Sequence, residues 1–218
     1  MKYLKKKLNY VKINKDLKSI LDAIQNGKAV MKDKYVVVNI RQSLELEKEE
    51  KVKKIIQEIS SPQNKEVETF LKKNAIEFTK KRQSITYLVI DNVTGKFVGY
   101  FTLAIKPINV LSDNISKTFA KKISRISSYD EETKTYSCAA YLIAQLGKNY
   151  SIPYENRITG DELLELIEEQ ISETQNAIGG IVEFLECEDN KFLIDFYERH
   201  NFVYFSKRNN YLQYLIFN

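Results

Sequence analysis

The feature that most constrains the fold is the order of apolar segments in the second half of the chain. Residues Tyr136–Leu146 form a strongly apolar run that is typical of a central strand. Asp161–Ala177 follows with leucine and isoleucine at helical spacing, and Gly179–Gly180 ends that helix. Ile181–Cys187 is the next apolar strand. This strand–helix–strand order predicts an α/β fold with a mixed sheet.

Segments on both sides extend the same alternation. The predicted helices are Lys15–Gln25, Glu45–Ser60 and Glu66–Lys81, and the predicted strands are Tyr35–Ile40, Ser84–Asp91, Phe97–Ile105, Phe202–Phe205 and Tyr211–Phe217. The pattern weakens from Lys106 to Lys134, where we predict a loop that includes a short helix. The length of this loop is typical of a lid or a partner surface.

The composition is that of an ordinary globular protein. The chain has 218 residues, of which 43% are hydrophobic and 29% are charged. No apolar run approaches the roughly 20 residues of a membrane span. The first residues, MKYLKKKLNYVKINK, are basic but lack the apolar block of a secretory signal. We therefore expect a cytoplasmic protein with no membrane partner.

Cysteine and histidine are too few for a metal centre or a disulfide framework. The chain has Cys138, Cys187 and one histidine, His200, with no CxxC pair, so no metal site is predicted. The net charge of +5 is compatible with an anionic ligand. The basic clusters Lys5–Lys7 and Lys80–Arg82 are typical of solvated surface, and a nucleic-acid role is the lesser alternative.

The stretch NKFLIDFYERHNF, Asn190–Phe202, predicts a short capped helix. Asp189 is the predicted N-cap, and Asn201 can adopt the left-handed conformation that ends a helix. One apolar face is predicted to hold Phe192, Leu193, Phe196, Tyr197 and His200, and Phe202 is predicted to pack beyond the last turn. Packing alone explains these residues, except for the hydroxyl of Tyr197.

Three sequence segments together resemble the GNAT N-acetyltransferases. They are ETFLKKNAIEFTKKRQSITYLVIDNVTGKFVGYFTLAI, RITGDELLELI and EFLECEDNKFLIDFYERHNFVYF. Within that superfamily the FLKKNA helix, the GYFTL hairpin and the FYER motif look most like the TacT-type toxins, which acetylate aminoacyl-tRNA. Asn201 stands where the family has glycine, a mild change because both residues tolerate the left-handed conformation.

The resemblance covers roughly Glu66 to Phe217. It implies a GNAT-like domain over residues 65–218, with a mixed, mostly antiparallel central sheet flanked by helices. Residues 1–64 are then an N-terminal extension of unknown role. The resemblance also implies acetyl-CoA as cosubstrate and a primary amine as acceptor, either a charged tRNA or a small amine or protein. An antitoxin protein and a second copy of the chain are the other implied partners.

The resemblance assigns Tyr197 as the general acid. A phenol with a pKa of about 10 suits protonation of a departing thiolate of similar basicity. For the amine proton, Glu183 on the preceding strand is the candidate acceptor through water, although its alternation with apolar neighbours also fits an exposed face. An α-amino group has a pKa near 8, so a dedicated base is not required. His200 is interpreted as a capping or packing residue.

The family binds the diphosphate of the cofactor at a Q/R-x-x-G-x-G/A turn before a helix. Here the matching turn runs from Arg157 through Thr159, Gly160 and Asp161 to Glu162, and only Arg157 and Gly160 fit. Thr159 and Glu162 also form a T-x-x-E capping box, which would occupy the amides that a phosphate needs. The two acidic residues would repel a phosphate unless Lys148 and Arg157 offset their charge.

The pantetheine arm in this family pairs with the end of the central strand. By position this is Leu146, Gly147 and Lys148, where a backbone amide can polarise the thioester carbonyl and glycine allows close approach. An ordinary strand end is the alternative. At the level of function, the alternative is a GNAT-shaped binding module with weak or lost acetyl-CoA binding. The acidic turn favours that module, whereas Tyr197 and the GYFTL hairpin favour the enzyme.

Overall fold

The computed structural model describes residues 34–46 and 49–217. The predicted helix Lys15–Gln25 and the cluster Lys5–Lys7 lie outside this range. The described residues divide into two compact units. The first unit contains residues 34–46, 49–100 and 147–160, and the second contains residues 101–146 and 161–217.

Among the described residues, eight strands form one sheet. They are β1 (Tyr35–Asn39), β2 (Ile85–Asp91), β3 (Phe97–Leu111), β4 (Ser128–Asp130), β5 (Thr135–Lys148), β6 (Val182–Glu188), β7 (Val203–Arg208) and β8 (Tyr211–Phe217). The hydrogen-bonded order is β1-β2-β3-β5-β6-β8-β7, and β4 pairs with β5. The predicted mixed, mostly antiparallel sheet with flanking helices is confirmed.

The helices described alongside this sheet follow the chain in order. They are α1 (Ile40–Leu46), α2 (Glu49–Gln57), α3 (Lys65–Lys73), α4 (Ala75–Lys80), α5 (Lys117–Ile123), α6 (Gly160–Ile178) and α7 (Lys191–Arg199). Within the described ranges, no helix is both long and apolar enough to cross a membrane.

In the first unit, the bounds of two predicted long helices differ from the described ones. In the segment expected as Glu45–Ser60, the structure describes the end of α1 at Leu46 and α2 over Glu49–Gln57, so the helix ends three residues before the predicted Ser60. The segment expected as Glu66–Lys81 consists of α3 and α4, which meet at Asn74. Asparagine is a poor helix former, and the break lets α4 direct the buried Ala75 and Ile76 into the core.

The core of the first unit is built from short elements. Strand β1 pairs antiparallel with β2, and Asn64 caps α3 by accepting from the amides of Glu66 and Val67. The buried members of this core include Val36, Val38, Ile40, Val52, Ile55, Ile56, Leu71, Leu88, Phe97 and Tyr100. Residues that precede Lys65 therefore contribute to this core.

In the second unit, the expected loop from Lys106 to Lys134 was only partly correct. Strand β3 continues past Pro107 to Leu111, and a short helix, α5, follows as predicted. Ile108 and Val110 are buried while the residues between and beside them are exposed, which is the period of a half-buried strand. Proline at residue 107 disguised this pattern, because proline normally argues against a strand interior.

Candidate active site

Helix α7 carries Tyr197, the predicted general acid. Asn190, and not the predicted Asp189, is the N-cap of this helix. The Asn190 Oδ1 atom accepts a hydrogen bond from the amide of Phe192 at 2.9 Å. The Asp189 carboxylate instead accepts from Lys207 Nζ at 3.3 Å. Both residues have the chemistry of a cap, so their order along the chain did not distinguish them.

Tyr197 is buried, with 7% of its surface exposed. Its ring contacts the rings of Phe196 and Phe202, with centroids 5.1 and 5.9 Å away. Burial, and next the neighbouring Cys187, raise the pKa of the Tyr197 phenol well above its usual value. The hydroxyl therefore stays protonated at neutral pH, which is the state that a proton donor needs.

The end of α7 follows the sequence prediction, whereas its start does not. Asn201 has a φ of +64°, the left-handed conformation expected there, and Phe202 is buried against Tyr197. Phe192 was predicted on the buried face but is 74% exposed. It lies in the first turn of α7, while the buried aromatics Phe196 and Tyr197 lie in the second half.

Strands β5 and β6 pair in parallel over only a short part of their length. Tyr141–Ile143 of β5 pairs with Glu183–Leu185 of β6. Beyond that point β6 continues to Glu188 paired with β8, and β5 continues to Lys148. In the second unit, residues 144–146 of β5 and 186–188 of β6 are therefore outside the β5–β6 ladder. The β5–β6 ladder thus ends several residues before either strand does.

The residues predicted to bind the pantetheine arm have different surroundings. Leu146 is the last residue of β5 in the second unit and is partly buried. Gly147 is tightly packed in the first unit, where a Cβ atom would lie 2.5 Å from Val67 Cγ1 and 2.6 Å from Tyr100 Cε1. Lys148 Nζ lies 5.9 Å from the centroid of the Tyr150 ring. The close approach of the Val67 and Tyr100 side chains therefore explains why residue 147 is glycine.

Arg157 shapes the loop that precedes α6. Its Nη2 atom donates to the carbonyl oxygen atoms of Ile152 at 2.9 Å and Tyr150 at 3.4 Å, and its guanidinium lies over the Tyr150 ring at 4.6 Å. Thr159 is exposed, and α6 begins at Gly160, the residue that the predicted capping box places first in the helix.

Asp161, one of the two acidic residues in the predicted diphosphate turn, is neutralised by the end of α7. Its Oδ1 atom lies 2.8 Å from Arg199 Nη2 and 3.0 Å from His200 Nε2. The hydrogen bond from Arg199 is the main cause that lowers the pKa of the Asp161 carboxyl. The offsetting cation is thus Arg199, while Arg157 bonds to carbonyl groups of its own loop. Glu162 is partly buried in the first turn of α6.

His200 also ties its ring to α7 itself. Its Nδ1 atom lies 2.7 Å from the carbonyl oxygen of Phe196, and its ring is 4.6 Å from the Phe196 ring. Both ring nitrogens therefore face oxygen atoms. The interpretation of His200 as a capping and packing residue agrees with these contacts.

Glu183 is completely buried on β6. Burial, and next the charge of Glu168, raise the pKa of the Glu183 carboxyl to about 7. Glu183 and Cys187 lie on the same face of the strand, four residues apart, which is about 13 Å at the usual rise of a strand. Tyr197 is a neighbour of Cys187. Glu183 is therefore at the other end of β6 from the phenol, inside the paired part of the β5–β6 ladder.

The sequence analysis did not identify two sets of contacts, those of Asp161 and those of Asn149. Arg199 and His200 were not recognised as partners of Asp161, because a contact between the ends of two helices has no local signal. The buried Asn149 was also missed: its side chain donates to the carbonyl of Phe97 and accepts from the amides of Ser60 and Ser151. A polar residue directly after a long apolar strand was the available signal.

The fold is that of the GNAT N-acetyltransferases, as the sequence motifs indicated. Solved structures that share it include a bacterial toxin and the toxin AtaT. A tyrosine-to-phenylalanine variant of KacT has a TM-score of 0.58 at 19% identity, covering 84% of this chain and 95% of its own. AtaT in complex with acetyl-methionyl-tRNA has a TM-score of 0.55 at 16% identity, covering 74% and 86%.

AtaT bound to the antitoxin AtaR and acetyl-CoA is a further match. Its TM-score is 0.52 at 14% identity, and the match covers 74% of this chain and 84% of that chain. No protein-family model matches the sequence, and no curated protein matches it. At these identities the likeness establishes the fold.

Proposed function

We propose that this chain is an acetyl-CoA-dependent N-acetyltransferase in which Tyr197 is the general acid. The observation that carries the proposal is the position of the buried, protonated phenol of Tyr197 on α7. It is a neighbour of Cys187, and Cys187 lies on the part of β6 beyond the β5–β6 ladder. The reaction needs a proton donor next to an opening between two strands, where an extended thioester can pair with the backbone.

In this proposal, backbone amides near Leu146 polarise the thioester carbonyl while the acceptor amine attacks it. Tyr197 then gives its proton to the departing thiolate, and the amine loses a proton to water, through which Glu183 is the proposed final acceptor. Burial keeps the Tyr197 phenol protonated, so its proton is present when the thiolate departs.

For the diphosphate, the proposed site is the first turn of α6, where the helix dipole favours an anion. Arg157, Thr159, Gly160, Asp161 and Glu162 are its residues, and Lys148 is near in sequence. The ion pair of Asp161 with Arg199 reduces the repulsion that the acidic turn would otherwise exert.

The proposed acceptor is the amino group of an aminoacyl-tRNA. The likeness to AtaT, whose structures include acetyl-methionyl-tRNA, supports this acceptor over a small amine or another protein. An antitoxin partner is proposed on the same grounds, because AtaT has been solved with AtaR. We also propose that the enzyme acts in the cytoplasm, where charged tRNA is found.

Acetyl-CoA binding and acetyl transfer test the proposal directly. We expect calorimetric binding of acetyl-CoA and transfer of radiolabelled acetyl to aminoacyl-tRNA. In Tyr197→Phe we expect kcat to fall by about 10²- to 10⁴-fold with little change in KM, because the hydroxyl acts only on the leaving group. Tyr204→Phe, a change at an exposed tyrosine on β7, is the matched control and should retain activity.

Growth provides the second measurement. Expression of the native chain without an antitoxin should arrest growth, and Tyr197→Phe should relieve the arrest. Absence of acetyl-CoA binding at millimolar concentration would reject the enzyme in favour of a GNAT-shaped binding module. Full activity in Tyr197→Phe would reject the role of the phenol alone.

A further inference from the structure

Helix α5 has a strongly basic surface that the proposed acetyl transfer does not use. Lys117 and Lys121 are four residues apart, so they lie on one side of the helix, and Arg125 follows in the turn after α5, which ends at Ile123. Lys122 is adjacent to this row, and all four side chains are exposed. No acidic residue occurs between residues 117 and 125. We call these four residues the basic face of α5.

The opposite side of α5 is fixed to the sheet. Ile123 is fully buried in the core of the second unit, and the ring of Phe119 packs edge-on against Phe217 with centroids 5.0 Å apart. Ser116 caps the helix through the amide of Phe119. The basic face is therefore held outward on a rigid helix.

The charges of the basic face are not neutralised within the described part of the chain. None of its four cations forms an ion pair with a described carboxylate, and Lys122 instead lies 5.7 Å from the Phe217 ring. The cluster Lys80–Arg82 differs, because Lys80 is paired with Glu49 at 2.7 Å and with Glu77 at 3.4 Å. An uncompensated row of cations favours a partner with regularly spaced negative charge.

An aromatic surface accompanies the basic face in the same segment. Tyr129 of β4 is 40% exposed, and its ring packs on that of Tyr136 with centroids 4.6 Å apart. A segment that combines exposed aromatic rings with cations suits nucleic acids, because bases can stack on a ring while the cations contact the phosphates. An acidic peptide would use the cations but not the ring.

We propose that the basic face of α5, with Tyr129, is a docking surface for the phosphodiester backbone of RNA. It is distinct from the proposed catalytic residues. Helix α5 packs on the face of β6 that carries Val182 and Phe184, whereas Cys187, the neighbour of Tyr197, points to the other face. The surface thus contributes affinity for RNA without contacting the reacting groups.

Fluorescence anisotropy of the full chain with a labelled short RNA hairpin tests this surface. The variant Lys117→Gln/Lys121→Gln/Arg125→Gln should bind at least tenfold more weakly. Its dependence of log K on log salt should also be shallower by about two to three units, since each lost phosphate contact removes about 0.7 to 0.9. Lys73→Gln/Lys81→Gln/Lys96→Gln removes the same charge from exposed lysines of the first unit and should bind within twofold of the native chain.

Several results would overturn the proposal. They are no binding of the hairpin by the native chain, equal binding and salt dependence in the α5 variant, or displacement of the hairpin by polyglutamate at equal charge concentration. If the triple variant does not fold, the single variants Lys121→Gln and Arg125→Gln should each still show a several-fold loss. Acetyl-CoA binding is measured separately in every variant and should be unchanged. Failure of the proposed acetyltransferase therefore leaves this result interpretable, and the reverse also holds.

Discussion

At the scale of single residues, the most predictable ones were those whose conformation depends only on their neighbours in the sequence. Asn201 was expected in the left-handed conformation from its place after an amphipathic helix, and its φ of +64° confirms this. Gly147 was expected to allow a close approach, but the groups that approach it, Val67 and Tyr100, are distant in the sequence. No local pattern identifies such neighbours.

Gly147 gives a direct prediction about stability. In Gly147→Ala the new methyl group meets Val67 and Tyr100 at less than 3 Å. Tyr100 cannot easily move, because it is fully buried and its hydroxyl donates to the carbonyl of Val67. We expect a loss of about 1–3 kcal/mol in the free energy of unfolding, measured by urea denaturation.

The control for Gly147→Ala is Ala139→Val, which adds methyl groups at an exposed position of the same strand. It should change the free energy of unfolding by less than about 0.5 kcal/mol. An unchanged unfolding midpoint in Gly147→Ala would mean that Tyr100 gives way, and that the glycine is not required for packing.

At the scale of elements, strands and helices were predicted well and their ends less well. Strands β2, β5, β6 and β8 and helix α6 have nearly the expected bounds, because apolar periodicity is strong in each. The break that divides α3 from α4 was missed, since the apolar stripe continues across it. The pairing of the start of α6 with the end of α7 was also missed, because it joins residues far apart in sequence.

The contact between α6 and α7 predicts how acetyl-CoA binding responds to charge. In Arg199→Gln, Asp161 loses its closest cation and repels a diphosphate at the first turn of α6. We expect the calorimetric Kd for acetyl-CoA to rise several-fold at low salt and to converge with the native value at high salt. In Asp161→Asn we expect equal or tighter binding.

Arg208→Gln is the control for Arg199→Gln, because it removes the same charge from an exposed arginine of β7. Its Kd should stay close to the native value. If Asp161→Asn weakened binding as much as Arg199→Gln, the ion pair itself, and not the net charge of the turn, would be what the ligand needs.

At the scale of the whole molecule, the general architecture came from the GNAT-like motifs together with the alternation of strands and helices. The parallel pairing of β5 with β6 follows from the crossover through α6, but the point where the two strands separate was not visible in the residues. That point depends on hydrogen bonds between segments that are distant in the sequence.

The free energy of unfolding should depend on pH in two ranges, one above and one below about pH 4.5. Because the pKa of Glu183 is raised from 4.5 to about 7, the native state binds more protons than the unfolded state between these values. The free energy of unfolding therefore falls as the pH rises from about 4.5 to 7, by about 3 kcal/mol for such a shift. Below pH 4.5, stability should be lost as Glu68 is protonated, because Lys72 and the amide of Ser61 hold its pKa at about 2.

Urea unfolding at a series of pH values measures the dependence in both ranges. Glu183→Gln should flatten the dependence between about pH 4.5 and 7, since glutamine has no proton to exchange. Glu188→Gln, at an exposed position of the same strand, should leave the dependence in both ranges in place. A native chain whose stability is constant from pH 5 to 7 would contradict the buried, protonated state of Glu183.

Helix α7 carries both Tyr197 and Arg199 within its nine residues. Adding or deleting one residue before Tyr197 would rotate these side chains by about 100° about the helix axis. Such an insertion would turn the phenol out of its aromatic pocket and separate the guanidinium from Asp161 in a single step. The family of sequences that shares this arrangement should therefore vary in the length of its connecting loops but not in the length of this helix.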